Sequence, residues 1–218
     1  MKLIVTGATG TAGSEVIRQA LKDDTVTTVT AICRRQPDMA HPKLTTVIHK
    51  DFLDYTGLDS IFKSHDACIW CLGVSSQQVN EEQYEVITHL YTVKAAQVML
   101  HANPGIDFIF LSGEGADVLE KSRQIFARIK GKTENDLSKL SFGSLHIARP
   151  GAIWPVHDNS GQHFLYKLFR PLLPVIALLS PSGVIRADVL ARAMINLAKN
   201  GHKLRVLENE DLKKLGME

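Results

Sequence analysis

The chain has 218 residues, 44% of them hydrophobic and 22% charged, with a formal net charge of +2. This length and balance suit one folded globular domain covering 1–218 and argue against an intrinsically disordered chain. The small net charge and the absence of a basic run argue against nucleic acid as a partner. Cys33, Cys68 and Cys71 do not make a disulfide framework, which favours a reducing, cytoplasmic setting. The opening residues suit a first strand better than a secretion signal, because they reach glycine after a short apolar run.

Lys2 to Thr6 is a short apolar strand. It runs into Gly7-Ala8-Thr9-Gly10-Thr11-Ala12-Gly13 and then into an amphipathic helix from Ser14 to Leu21. Val26 to Cys33 is rich in β-branched residues and predicts strand two; Leu44 to His49 predicts strand three. Tyr55 to Lys63 predicts a short helix, with Leu58, Ile61 and Phe62 at helical spacing. Ala67 to Leu72 is a near-continuous apolar run, as in a strand buried on both faces. Glu81 to Ala102 predicts a long helix, with Val86, Leu90, Val93, Val98 and Leu100 supplying much of its apolar surface, stopped by Asn103-Pro104-Gly105. Ile106 to Ser112 is strand five. Val118 to Leu140 predicts a helix with Ile125, Ile129 and Leu137 on one side. Ser144 to Ala148 is strand six, closed by Arg149-Pro150-Gly151.

The pattern loosens after Ile153. Val156 to Gln162 is loop-like, and Leu165 to Leu179 is apolar but broken by Lys167, Arg170, Pro171 and Pro174, so it is too interrupted to span a bilayer. Arg186 to Lys199 predicts an amphipathic helix, Lys203 to Leu207 a last strand and Asp211 to Leu215 a closing helical turn. Alternating strands and helices predict an α/β fold: a Rossmann-like, doubly wound parallel sheet with a small C-terminal substrate-side lobe.

The glycine-rich turn carries the first chemistry. Glycine permits the sharp turn and a close approach of backbone to phosphate. The helix start adds free N–H groups and a positive dipole end. With a strand before it and a helix after it, Gly7, Thr9, Gly10, Thr11, Ala12 and Gly13 are candidates to hold the pyrophosphate of a dinucleotide. Strand two ends in Cys33-Arg34-Arg35 rather than in an acid. Two guanidiniums there attract a ribose 2′-phosphate through charge-assisted bonds, so NADP(H) is expected over NAD(H). Asp51 and Phe52, after strand three, are candidates for the adenine edge; a turn or helix cap built on Asp51 or Asp54 is the competing reading. Gly73, in Cys71-Leu72-Gly73, lets a dinucleotide come close to the chain.

Cys68 and Cys71 match C-x-x-C but on a strand point to opposite faces, so they suit structure better than redox exchange. The histidines form no tight ligand cluster, and no metal site is expected. Ligands of open α/β sheets bind beyond the carboxyl ends of the strands, which also brings Ser75, Ser76, Glu114 and Trp154 into consideration.

These pieces, together with Leu111-Ser112, Gly115-Ala116-Asp117, Lys130-Gly131, Arg149-Pro150-Gly151 and Leu207-Glu208-Asn209, resemble the short-chain dehydrogenase/reductase superfamily. The likeness is to its atypical, NmrA-like and Tat-interacting-protein-like branch, and it covers nearly the whole chain. The resemblance implies a cofactor cleft contacted also by Pro150 and Gly151 and capped by about 154–185. It implies a catalytic Ser112 that orients a substrate oxygen and a Lys130 that holds the nicotinamide ribose. It also implies a tyrosine four residues before that lysine, where this chain has Phe126. Three functions are therefore open: an NADP(H)-dependent oxidoreductase acting on a small carbonyl or alcohol, a non-catalytic NADP(H) redox sensor reporting to a protein partner, and a sugar-nucleotide epimerase or dehydratase. A monomer or a homodimer is compatible with all three.

Overall fold

A computed structural model describes residues 1–157 and 183–218. In chain order the described elements are β1 (Lys2–Thr6), α1 (Thr11–Lys22), β2 (Thr28–Cys33), β3 (Leu44–Ile48), α2 (Asp59–Lys63), β4 (Ala67–Trp70), α3 (Glu81–Glu85) and, after a π-helical turn at Val86–Leu90, α4 (Tyr91–Ala102). There follow β5 (Asp107–Leu111), α5 (Ile125–Ser138), β6 (Leu145–Arg149), β7 (Ala152–Trp154), β8 (Val184–Arg186), α6 (Ala187–Asn200), β9 (Val206–Glu208) and α7 (Asn209–Met217). Seven strands pair in the order β3-β2-β1-β4-β5-β6-β9, every pair parallel. The sheet is the Rossmann-like one expected.

Alternation along the strands builds two cores. Leu3, Val5, Ala67, Ile69 and Ile109 pack on one face with Val16 and Ile17 of α1 and Leu190, Met194 and Leu197 of α6. Ile4, Cys68, Trp70, Phe108 and Phe110 pack on the other with Phe62 of α2, Ala95 and Met99 of α4 and Leu137 of α5. The second face is aromatic: Trp70 meets Phe52 edge-on and stacks on Phe108, both at 6.2 Å between ring centres. Helices on both faces bury both sides of the parallel sheet, which explains strands with no polar side. The neighbours of β1 are β2 and β4, so the chain reverses direction across the sheet there and leaves a crevice beyond the strand ends.

Two expectations are corrected, and one feature is added. In the helix from Glu81 onward, the buried side chains are Tyr84, Thr88, His89, Thr92, Ala95, Ala96 and Met99, whereas Leu90 is exposed and Val93, Val98 and Leu100 are only half-buried. The π-helical turn adds a residue to the helical period and rotates the face that follows it. The helix predicted from Val118 begins only at Ile125. The reason is Asp117, whose carboxylate accepts the backbone N–H of Leu119, Lys121 and Ser122 at 3.0, 2.8 and 2.7 Å and so holds the segment in turns. Finally, β7 and β8 form a separate two-stranded parallel sheet, with Ala152 opposite Val184; three-residue strands carry too little alternation to be read. The segment Leu165 to Leu179 and most of the expected cap, 154–185, lie outside the described residues.

Gly131 shows how tightly α5 is seated. A Cβ there would lie 1.8 Å from the Asp117 carbonyl oxygen. Gly131→Ala is expected to lower unfolding free energy by ~2 kcal/mol, the usual cost of overpacking, as a reduced urea midpoint at unchanged slope.

Candidate functional site

The glycine turn is built by three different constraints. Gly7 has φ +67°, and a Cβ on it would lie 2.4 Å from the Cys71 carbonyl oxygen. Gly13 packs against the turn, where a Cβ would lie 2.3 Å from the Gly7 carbonyl oxygen. Gly10 is exposed at the extended N-cap of α1. The first helical hydrogen bond is donated by Ser14 N–H to Gly10 O at 3.0 Å, so helix geometry gives the amides of Thr11, Ala12 and Gly13 no intrahelical acceptor. Thr6 locks the turn to the chain after β4: its hydroxyl oxygen accepts the N–H of Cys71 at 3.0 Å and of Leu72 at 3.1 Å.

A cleft of about 650 Å³ opens from this turn across the carboxyl ends of β1, β4, β5 and β6. It is lined by Thr9, Gly10, Thr11, Ala12 and Gly13 at one end and by Ser112, Phe126 and Lys130 at the other. Cys71, Leu72 and Gly73 lie along it, as do Ser75, Ser76, Tyr84, Pro150 and Gly151. The fold thus brings most of the sequence-predicted site residues into one cavity. The Cys71 thiol is pushed up to about 12 by burial, which keeps it a neutral wall rather than a nucleophile.

Lys130 is buried. Its Nζ donates to the Leu111 carbonyl at 2.7 Å and sits 4.6 Å from the centre of the Phe110 ring. Burial brings its pKa down to about 8, against the opposing pull of Glu134 and Cys71.

Beneath the cleft lies a charged network that sequence reasoning missed. The Ser112 hydroxyl donates to Oε1 of Glu134, which is 2% exposed. Arg149 grips the same carboxylate through two nitrogens, Nε reaching Oε1 at 3.0 Å, and extends to Glu208 at 2.9 Å. Its bonds to Glu134 hold the Arg149 guanidinium above its ordinary pKa. The available signal was an acid on α5 one turn beyond Lys130, on the same side of the helix.

Other expected residues lie apart from this cavity. Arg34 and Arg35 are exposed just beyond β2. Asp51 is exposed, and its carboxylate accepts the Leu53 N–H at 2.9 Å, as the turn reading required. Phe52 is fully buried in the aromatic core, so any contact it makes with a ligand is through its backbone. Ile153, rather than Trp154, lines the cleft.

Residues 7–137 match the family model described as NAD(P)H-binding. The chain belongs to that family. Among curated relatives, it is 26% identical to protein HTATIP2 of Rattus norvegicus over 98% of this chain and 88% of that protein. It is 29% identical to the mitochondrial protein fmp52 of Aspergillus fumigatus over 96% of each. These likenesses place it in the NmrA-like branch of the atypical short-chain dehydrogenase/reductases. Solved structures with the same fold include the PhqB reductase domain from Penicillium fellutanum, with TM-score 0.69, 18% identity and coverage of 95% of this chain and 66% of that one. Another is a UDP-glucuronic acid 4-epimerase from Bacillus cereus bound to UDP-glucuronic acid and NAD, with TM-score 0.69, 16% identity and coverage of 95% and 77%.

Two variants test the electrostatics of the cleft floor. Glu134→Gln strands much of the Arg149 charge and is expected to cost ~3 kcal/mol in denaturant unfolding, since removing one partner of a buried pair leaves the other uncompensated. Lys130→Met acts in the opposite sense. Below about pH 8 Lys130 is charged in both the folded and the unfolded chain, and the folded chain bears the whole burial penalty. Between that value and the unfolded value of 10.5 the unfolded state binds more protons, so the wild type gains stability as pH rises. Lys130→Met should therefore be more stable than wild type at pH 7, by up to ~3 kcal/mol at 1.36 kcal/mol per unit. Denaturant unfolding at pH 7 and pH 10 should show that advantage shrinking at the higher pH.

Proposed function

We propose that this chain is an NADP(H)-dependent oxidoreductase acting on a small carbonyl or alcohol. The observation that carries the reading is the single cleft that joins the glycine turn to Ser112 and Lys130. The turn fits a pyrophosphate: Gly10 has no side chain to obstruct approach, and the unpaired helical amides beside it are suited to phosphate oxygens. When bound, the nicotinamide supplies or accepts a hydride.

Thr9, Gly10, Thr11, Ala12 and Gly13 hold the phosphates, Gly73 admits the ligand near the chain, and Pro150 and Gly151 border it. Lys130 places positive charge near the nicotinamide ribose, and the Ser112 oxygen, its hydrogen given to Glu134, accepts from the hydroxyl of an alcohol. Arg34 and Arg35 favour the 2′-phosphate of NADP(H), since no acid stands at the end of β2 to repel it.

A second reading, a dinucleotide sensor that binds without turnover, is favoured by Phe126, which puts an unreactive ring in the cleft. Titrating the protein with NADPH, then screening carbonyl compounds at saturating cofactor, separates the two. Turnover supports the oxidoreductase, tight binding without turnover the sensor, and no binding overturns both.

The cofactor preference has its own test. The double variant Arg34→Ala/Arg35→Ala should weaken NADPH binding ~10- to 100-fold, as expected for loss of charge-assisted hydrogen bonds. NADH binding should stay nearly unchanged, with both dissociation constants measured by calorimetry. Tighter binding of NADH than NADPH by the wild type would contradict the preference.

A further inference from the structure

The oxidoreductase reading leaves one atom unassigned: the proton that must reach the substrate oxygen. Ser112 is a poor source, because its hydroxyl proton is committed to Glu134 and only its oxygen lone pairs face away from that bond. Phe126 has no proton to give, and its ring lies so close to Gly113 that a Cβ there would come 2.5 Å from the ring tip.

The chain has four tyrosines. Tyr55 and Tyr91 belong to the aromatic core around Phe52, and Tyr166 lies outside the described residues. Tyr84 is different: it is 1% exposed, and it lines the same cleft as Ser112, Phe126 and Lys130.

Its position is well determined. Asn80 caps α3 by accepting the Gln83 N–H at 2.8 Å. Ion pairs from Glu81 to Arg128 and from Glu85 to Lys132, the latter at 2.5 Å, clamp α3 to α5 on either side of residue 84. The π-helical turn begins two residues later, and such turns recur at functional sites. The clamp holds α3, which carries Tyr84, to the helix that carries Phe126 and Lys130.

We propose that Tyr84 is the proton donor of this cleft, taking the role that Phe126 cannot fill. This rests on the oxidoreductase reading. In reduction, a new C–H bond forms at the carbonyl carbon with the hydride from reduced nicotinamide, and the C=O π pair moves onto oxygen. The Tyr84 O–H bond breaks as that oxygen takes the proton, giving an alcohol and a phenolate that water reprotonates. Burial raises the Tyr84 phenol above its ordinary pKa, opposed by the Thr88 hydroxyl, so the donor form prevails at neutral pH. Lys130 lines the same cleft and is charged below about pH 8, so the cleft that receives the proton transfer carries a positive charge.

The test combines spectroscopy with kinetics on the full chain. In protein labelled with [13Cζ]tyrosine, the resonance absent from Tyr84→Phe identifies residue 84. Saturating NADP+ should shift that resonance and lower its alkaline titration midpoint, leaving those of Tyr55 and Tyr91 in place. With NADPH and 4-nitrobenzaldehyde as the probe, Tyr84→Phe should lose at least ~100-fold in kcat, the usual scale of general acid catalysis. Its NADPH dissociation constant should stay within about twofold, and adding Phe126→Tyr should restore part of the rate. A Tyr84 resonance blind to the dinucleotide, or Tyr84→Phe turning over at the wild-type rate, overturns the proposal and leaves the oxidoreductase reading standing. A wild type that binds NADPH but reduces nothing overturns the proton-donor role and leaves the dinucleotide site. Failure to bind NADPH overturns the underlying reading as well.

Discussion

Everything in this site depends on how closely two backbones approach at the ends of β1 and β4. Gly7 turns through a left-handed conformation with its α-carbon against the Cys71 carbonyl, and Gly13 seats the first turn of α1 on the same loop. A side chain at Gly7 would push the turn away from the Cys71 carbonyl, and one at Gly13 would push α1 off the turn. Thr6 draws the other way, its one hydroxyl oxygen accepting two amides from the chain after β4. Steric permission and hydrogen bonding therefore fix the same geometry. The result is a helix start held open toward the crevice, where unpaired amides can meet an anion.

The opposite end of the cleft is held by charge instead of backbone. Glu134 and Arg149 bury an ion pair under β5 and β6, and such pairs add little net stability because desolvation offsets their attraction. Their value here is orientation. Glu134 holds the Ser112 hydroxyl, and Arg149 spans from Glu134 to Glu208, tying α5 to the last strand of the sheet. Lys130 shares this floor and gains only partial compensation from Glu134, which is why its pKa falls despite a nearby carboxylate. The network resists movement because separating Glu134 from Arg149 leaves the buried carboxylate without its cation.

The fold was legible wherever local chemistry and tertiary packing agreed. The strand–glycine–helix start has one physical solution, and fully apolar runs such as Ala67 to Trp70 announced a sheet covered on both faces. Reading failed where a side chain competed with the backbone, as at Asp117, or where the helical period changed, as at Val86–Leu90. The site shows the same division. The glycine turn and Cys71 to Gly73 were readable because backbone shape defines them. The Ser112–Glu134–Arg149 network was not, since its members come from β5, α5 and β6 and meet only after folding. Tyr84 is not legible in the sequence for a related reason: a helical spacing of four from lysine finds partners on one helix, whereas the cleft is lined from α3 as well as from α5.

That last point bears on how a missing tyrosine should be weighed. A catalytic proton requires an acidic group at a place, and sequence spacing is one of several ways to put it there. On the oxidoreductase reading the cleft needs a donor, because Glu134 already takes the hydrogen of Ser112. It needs a group that stays protonated near neutrality yet can release the proton under a positive field. A buried phenol in the cleft that Lys130 also lines meets the first need directly, and an aromatic ring loses little entropy in presenting its hydroxyl. Phe126 then has a structural part, filling the space against Gly113 and closing one wall of the cleft. On this account the ring and the hydroxyl have been divided between two helices, and the absence of tyrosine at 126 is no argument against chemistry in the cleft.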